Sequence, residues 1–255
     1  MKNIPASWPS PPQNLTLGAE EVHVWRVELN QSAQCVEALR RTLAEDELKR
    51  AERFYFDSDR QHFIVARGAL RTILGRHLGA QPDQLRFVYS SHGKPALVGD
   101  CGFDAIHFNV AHSYGIALVG VTRVSEIGID VEYVRREVEH LSIARRFFSS
   151  GEVAALYALP ADLRQEAFFT CWTRKEAFIK ARGEGLSYPL DQFDVSLAPD
   201  EPAALLSVRG CSTARGWSLR SLSPGPGYAA ALALEGEACR LACWQWSAYL
   251  MHNNP

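Results

Sequence analysis

The chain has no excess of basic residues, no apolar run long enough for a membrane span and few cysteines for its 255 residues, and each shortage removes a class of function. With 27 Lys and Arg against 29 Asp and Glu the net charge is −2, which argues against nucleic acid as the main ligand, because phosphate binding needs clustered positive charge. No segment reaches the ~20 apolar residues of a span, and the first dozen residues lack the apolar stretch of a secretory signal. Neither a membrane nor an exported location is expected. The six cysteines, Cys35, Cys101, Cys171, Cys211, Cys239 and Cys243, are scattered, and the C-x₃-C spacing of the last two matches neither zinc ribbons nor redox C-x-x-C pairs. They read as reduced thiols of a cytoplasmic protein. There is no Walker loop, Gly-x-Gly-x-x-Gly, His-Glu-x-x-His, Gly-x-Ser-x-Gly or EF-hand loop, so kinase, dehydrogenase, zinc-protease and α/β-hydrolase readings have no anchor. What remains is a globular composition, 47% apolar and 22% charged, which excludes extensive disorder and allows one large core or two half-size ones.

Residues 5–12 hold four prolines and read as an extended surface arm. Apolar residues recur at helical spacing over 36–56 and 60–78, and short β-rich runs follow at 85–90, 106–111, 116–122 and 127–132. The order then repeats, with helices near 141–148, 151–158 and 163–181 and strand-like runs at 193–197, 204–208, 217–222, 228–234 and 241–246. Ser149 with Glu152 three residues on predicts a capping box. Local echoes keep their order: Arg53-Phe54-Tyr55 with Arg146-Phe147-Phe148, Phe63…Leu70 with Cys171…Phe178, and Tyr114…Leu118 with Tyr228…Leu232. The expectation is an α+β fold of two related halves, 1–122 and 123–255.

Three clusters could carry chemistry. In Ile127-Gly128-Ile129-Asp130-Val131-Glu132, strand alternation sends the three apolar side chains to one face and the two carboxylates to the other. Carboxylates about 7 Å apart can share a hard cation such as Mg²⁺, although a lone Asp-x-Glu is more often a solvated edge. On the next helix Trp172, Glu176 and Lys180 fall at i, i+4 and i+8 and share a stripe, which is either an ordinary surface pair or a third carboxylate beside a phosphate-directed cation. In Phe108-Asn109-Val110-Ala111-His112-Ser113, adjacent His112 and Ser113 point to opposite sides of an extended chain, which argues against a Ser/His nucleophilic pair and favours His112 as a phosphate donor or a core histidine. Lys94, in the turn His92-Gly93-Lys94-Pro95, adds positive charge, and Arg50, Arg53, His62, Arg67 and Arg71 form a basic helical patch. Three carboxylates and several cations without an internal nucleophile suit transfer of a phosphate-linked group to an external acceptor.

These three blocks, Phe108–Ser113, Gly128–Glu132 and Trp172-Thr173-Arg174-Lys175-Glu176-Ala177-Phe178-Ile179-Lys180-Ala181-Arg182-Gly183-Glu184-Gly185-Leu186, resemble in order and spacing the signature blocks of the Sfp-type 4′-phosphopantetheinyl transferases. The likeness runs more weakly from about Glu45 through Gly93-Lys94-Pro95 to Gly227-Tyr228. It implies a monomer built as a pseudo-symmetric intramolecular dimer, with coenzyme A in the cleft between the halves and Mg²⁺ on its pyrophosphate. The acceptor is then a serine of an apo acyl or peptidyl carrier protein in fatty-acid, polyketide or nonribosomal peptide synthesis. On the same resemblance Asp130, Glu132 and Glu176 bind the metal, and Glu176 or Glu132, directly or through water, takes the serine proton. Lys180 balances charge as 3′,5′-ADP leaves. His112 and Lys94 grip phosphates, Ser113 lines the nucleotide pocket, and Arg50, Arg53 and His62 lie toward the coenzyme.

Two positions depart from the family pattern. Ala111 stands where a serine is usual, and His62 stands where an arginine often faces the 3′-phosphate, which makes that contact depend on imidazole protonation. Two other readings compete with transfer: a catalytically idle relative that binds coenzyme A or a carrier protein, and a Mg²⁺-dependent nucleotide phosphohydrolase using the same carboxylates on water.

Overall fold

The computed structural model describes residues 8–98, 106–135, 138–199, 201–210, 216–236 and 240–251. Cys101, Cys211, Cys239 and the first seven residues, which include the start of the proline arm, lie outside the described residues.

The described residues form two compact units, 8–123 with 240–251, and 124–236. The first unit opens with strand β1 (Glu21–Glu28), which the apolar spacing did not signal because His23 and Arg26 interrupt its valines. Helices α1 (Ala33–Arg40), α2 (Glu45–Ala51) and α3 (Asp57–Leu78) follow, so the pattern expected over 36–56 is two short helices with a break between them. Then come the hairpin β2 (Phe87–Tyr89) and β3 (Pro95–Leu97), and the strands β4 (His107–Ser113) and β5 (Ile116–Thr122). β5 lies antiparallel between β1 and β4, and the unit's core gathers Trp25, Leu39, Leu70, Ile73, Val119 and Trp246.

The second unit repeats this order. Strand β6 (Ile127–Tyr133) leads to α4 (His140–Phe147), α5 (Ser150–Ala158) and α6 (Arg164–Arg182). The short pair β7 (Phe193–Val195) and β8 (Leu205–Val208) precedes β9 (Trp217–Leu222) and β10 (Tyr228–Glu235). β10 lies antiparallel between β6 and β9, the arrangement that β5 has between β1 and β4. The last strand, β11 (Arg240–Gln245), has no counterpart among the described residues of the second unit and pairs parallel with β1. The expected boundary therefore needs a correction: residues 240–251 belong with the first unit, because β1 has a free edge that β11 completes.

A buried anchor shows how the repeat is registered. In the first unit Glu47, the third residue of α2, accepts from the Ala44 amide (2.9 Å) and from Arg71 Nε (2.7 Å), while Arg71 Nη1 donates to the Pro82 and Leu85 carbonyls. In the second unit Glu152, the third residue of α5, accepts from the Ser149 amide (3.0 Å) and pairs with Lys175 Nζ (2.8 Å), which donates to the Leu190 and Phe193 carbonyls. Both long helices end eight residues later in a left-handed glycine, Gly79 and Gly183. Arg71, not Arg67, is thus the partner of Lys175, one helical turn from the match that the local echo suggested. The predicted capping box is present, with the Ser149 hydroxyl accepting from the Glu152 amide at 3.1 Å.

Candidate functional site

The site on the second unit is built by β6 and α6. Gly128, Asp130 and Glu132 share one face of the strand, and that face meets the helix. A Cβ on Gly128 would lie 2.0 Å from the Ala177 carbonyl oxygen and 2.4 Å from the Ala181 nitrogen, so only glycine lets the two backbones touch. Two residues along, that closeness brings Asp130 Oδ1 to 2.6 Å from Lys180 Nζ, which also donates to the Ile129 carbonyl at 3.3 Å. Asp130 is only 5% exposed, so the solvated-edge reading of this carboxylate does not hold.

Electrostatics single out the group. Burial raises the Asp130 carboxyl to about 6, outweighing the attraction of Lys180. Burial also raises Glu176 to about 7, with Lys180 opposing the rise and the like charges of Asp130 and Glu132 adding to it. Burial by itself lowers the Lys180 ammonium, but Asp130, Glu176 and Glu132 together hold its net shift upward. Asp130, Glu132, Glu176 and Lys180 therefore sense one another, and the pair Glu176–Lys180 is not an isolated surface pair. Among the described residues no three His, Cys, Asp or Glu side chains are gathered as a metal cluster, and Lys180 takes one oxygen of Asp130. The other oxygen, Oδ2, is buried without a hydrogen-bond partner.

The remaining residues of the Trp-Thr-Arg-Lys-Glu-Ala stretch hold the helix in place. Arg174 donates to the Ser196 carbonyl and hydroxyl and to the Ser221 hydroxyl, and Lys175 is wholly buried on Glu152. Sequence reasoning gave Lys175 no role, although the capping box had already marked Glu152 as turned inward.

The other candidates belong to the first unit. His112 is exposed and Ser113 is buried at the end of β4, the opposed orientation that alternation requires. Lys94 closes the β2–β3 turn, its amide donating to Ser90 Oγ at 3.1 Å. His62 Nε2 lies 2.9 Å from Asn30 Oδ1, a partner the sequence did not suggest because a lone asparagine after a strand is an ordinary turn residue. Arg50 is exposed and its guanidinium sits 5.4 Å from the centre of the Phe63 ring, and Arg53 is exposed. Arg67 and Arg71 are not part of a basic patch: both are buried against Glu47, because a carboxylate turned inward by its capping role needs neutralising.

The described thiols Cys35, Cys171 and Cys243 are free, and no helix among the described residues is long and apolar enough to cross a membrane.

Comparison with known proteins agrees with this arrangement. Residues 126–233 match the 4′-phosphopantetheinyl transferase superfamily, and residues 25–122 match the N-terminal region of 4′-phosphopantetheinyl transferases. The chain is 41% identical over 240 residues to the 4′-phosphopantetheinyl transferase HetI of Nostoc sp., covering 94% of this chain and 98% of that protein. It is 34% identical over 170 residues to the transferase psf-1 of Bacillus pumilus, 67% of this chain and 70% of that one. Against Sfp of Bacillus subtilis it is 32% identical over 158 residues, 62% of this chain and 68% of the other. With the buried carboxylate–lysine group on β6 and α6 and both units matched, the chain belongs to the 4′-phosphopantetheinyl transferase family.

Proposed function

We propose that the protein transfers the 4′-phosphopantetheine arm of coenzyme A to a serine hydroxyl of an apo acyl or peptidyl carrier protein, releasing 3′,5′-ADP. The observation that carries this reading is the Asp130–Lys180 contact of 2.6 Å beside Glu176, a buried acid–base group on a chain of this family. In the reaction the serine oxygen bonds to the phosphorus that bears the pantetheine arm, the bond to the bridging oxygen breaks, and 3′,5′-ADP leaves with the electron pair. Glu176 accepts the serine proton; burial, with the charges of Asp130 and Glu132 adding to it, raises its carboxyl and makes it the more basic for that task. Glu132 is the alternative base. Lys180 stabilises the charge that grows on the departing pyrophosphate oxygen, and it does so from a position already fixed by Asp130.

Mg²⁺ suits the chemistry of these donors, which would have to draw together to share it. Asp130, Glu132 and Glu176 are hard oxygen donors, and the partnerless Oδ2 of Asp130 is the kind of buried atom that an ion would satisfy. When bound, the ion neutralises the pyrophosphate and polarises the phosphorus. On the first unit His112 and Lys94 grip phosphates, Ser113 lines the nucleotide pocket, and Arg50, Arg53 and His62 face the far end of the coenzyme. The repeated element order supports two related halves; that they pack as a pseudo-symmetric intramolecular dimer, acting as a monomer with coenzyme A in the cleft, is part of the same proposal. Free thiols accord with a cytoplasmic location.

Mass spectrometry of an apo carrier protein after incubation with the chain, coenzyme A and Mg²⁺ tests the reading. Addition of the phosphopantetheine arm, lost with Asp130→Ala, supports it. An unmodified carrier, or 3′,5′-ADP released without a carrier, overturns it in favour of a binding relative or a phosphohydrolase.

A further inference from the structure

The second unit holds a cavity of about 290 Å³ to which the proposed reaction gives no role. It continues the seam between β6 and α6: Val134 in its wall follows Glu132 by two residues, and Thr173 precedes Glu176 by about one helical turn. Sites for drug-sized ligands span about 300–1,000 Å³, so an occupant of this one is small.

Arg174 forms part of the wall although it is only 3% exposed. Its guanidinium donates to neutral oxygens: the Ser196 carbonyl and hydroxyl, the Glu201 carbonyl at 3.4 Å and the Ser221 hydroxyl at 3.0 Å. Among the described residues no carboxylate forms an ion pair with it, whereas Arg71 lies on Glu47, Lys175 on Glu152 and Lys180 on Asp130. Burial works against the charge of Arg174, with Cys171 and the exposed Glu201 opposing that effect. Its Nε is buried and has no hydrogen-bond partner. A buried cation with no counter-ion beside it is a costly arrangement that a bound anion would repair.

The rest of the wall suits an anion. Ser221 Oγ accepts from Arg174, so its own proton can serve a ligand, and Thr170 adds a second hydroxyl. Glu166 also lines the cavity, but it is exposed, and water weakens its charge far more than that of a buried guanidinium.

We propose that this cavity binds a small oxyanion, a carboxylate or a phosphate, between the guanidinium of Arg174 and the hydroxyls of Ser221 and Thr170. Arg174 supplies the compensating charge and Ser221 donates a hydrogen bond. The site is separate from the Asp130–Lys180 group, and it stands whether or not coenzyme A is the donor substrate.

The test is calorimetric titration of the metal-free full chain with sodium phosphate and, separately, with sodium acetate, at constant ionic strength, together with thermal melting. One equivalent of anion should bind, and the tighter of the two salts tells phosphate from carboxylate. Ser221→Ala should weaken binding about 10-fold or more, as expected for losing a hydrogen bond to a charged group, and Thr170→Val should weaken it less. Arg174→Gln should abolish it. Saturating anion should raise the melting temperature of the unaltered chain but not that of Arg174→Gln, and Lys180→Met should bind as the unaltered chain does. No binding of either anion by the unaltered chain overturns the site. So does unchanged affinity in Ser221→Ala and Thr170→Val, a result that decides the matter even if Arg174→Gln fails to fold. Binding lost in Lys180→Met and kept in Ser221→Ala also overturns it, because the anion then sits beside Asp130 instead.

Discussion

Gly128 and Ala177 touch backbone to backbone: a Cβ on the glycine would stand 2.0 Å from the alanine's carbonyl oxygen. That approach sets the distance between β6 and α6, and hence the reach of Lys180 to Asp130. Gly128→Ala should push helix and strand apart at a cost of about 1–3 kcal/mol or more, since neither backbone can swing away as a side chain can. Transfer activity should fall to background. Melting temperature together with carrier modification checks this, and a fully active, equally stable variant would show that the contact is not needed.

Lys180 lies close to the reacting charge if the proposed mechanism holds. Lys180→Met should then lower the transfer rate by roughly 10²-fold or more, with a smaller change in coenzyme A affinity, because charge builds on the leaving group only in the transition state. Separate kcat and KM values decide the matter. A large affinity loss at unchanged rate would make Lys180 a general binding residue.

Arg71 and Lys175 perform the same task in the two units, each neutralising a buried glutamate and bonding two carbonyls. Lys175→Arg should therefore be the mildest replacement, whereas Lys175→Met leaves Glu152 buried and uncompensated at a cost of about 3–5 kcal/mol. Adding Glu152→Gln to Lys175→Met should recover part of that loss. Denaturant unfolding of the three variants measures it; equal losses in Lys175→Arg and Lys175→Met would mean that volume, not charge, governs the position.

Stability should respond to pH in opposite senses in the two units. Glu176 binds protons more tightly in the folded chain than in the unfolded one, where glutamate titrates near its ordinary 4.5, so its contribution is fully present below that value and is lost as pH rises through about 7. Glu176→Gln should therefore raise the metal-free melting temperature at pH 8 and change it little at pH 4. His77 behaves inversely: burial, with His23, Arg123 and Arg76 adding repulsion, lowers its imidazole to about 3, so the folded first unit resists the proton that the unfolded chain takes near 6.5. Stability is lost as pH falls from that value toward 3, and His77→Phe should flatten the acid limb. Melting curves between pH 4 and 8 give both slopes, and unchanged slopes in the two variants would assign the pH response to other groups.

Much of this protein could be read from its residues in order. Periodicity placed α3, α6, β5 and β9 close to their observed ends, because long helical segments with sharp ends and β-rich runs carry their own signal. The carboxylates of β6 and the Glu176–Lys180 stripe were visible because alternation and the helical turn are local rules. Strand β1 was not visible, since a central strand flanked by two neighbours needs no clean alternation, and the return of β11 to β1 depends on a partner more than 200 residues away in sequence. Charge assignments failed for the same reason: nothing local distinguishes Arg50, exposed, from Arg71, sealed against Glu47. Local rules along the chain suffice to name the candidate side chains and the elements they ride on. That Gly128 lets α6 descend onto β6, that Asp130 is buried against Lys180, and that Lys175 and Arg71 are anchors emerges in the fold alone, because burial and pairing of charge depend on what the folded chain brings within a few ångströms.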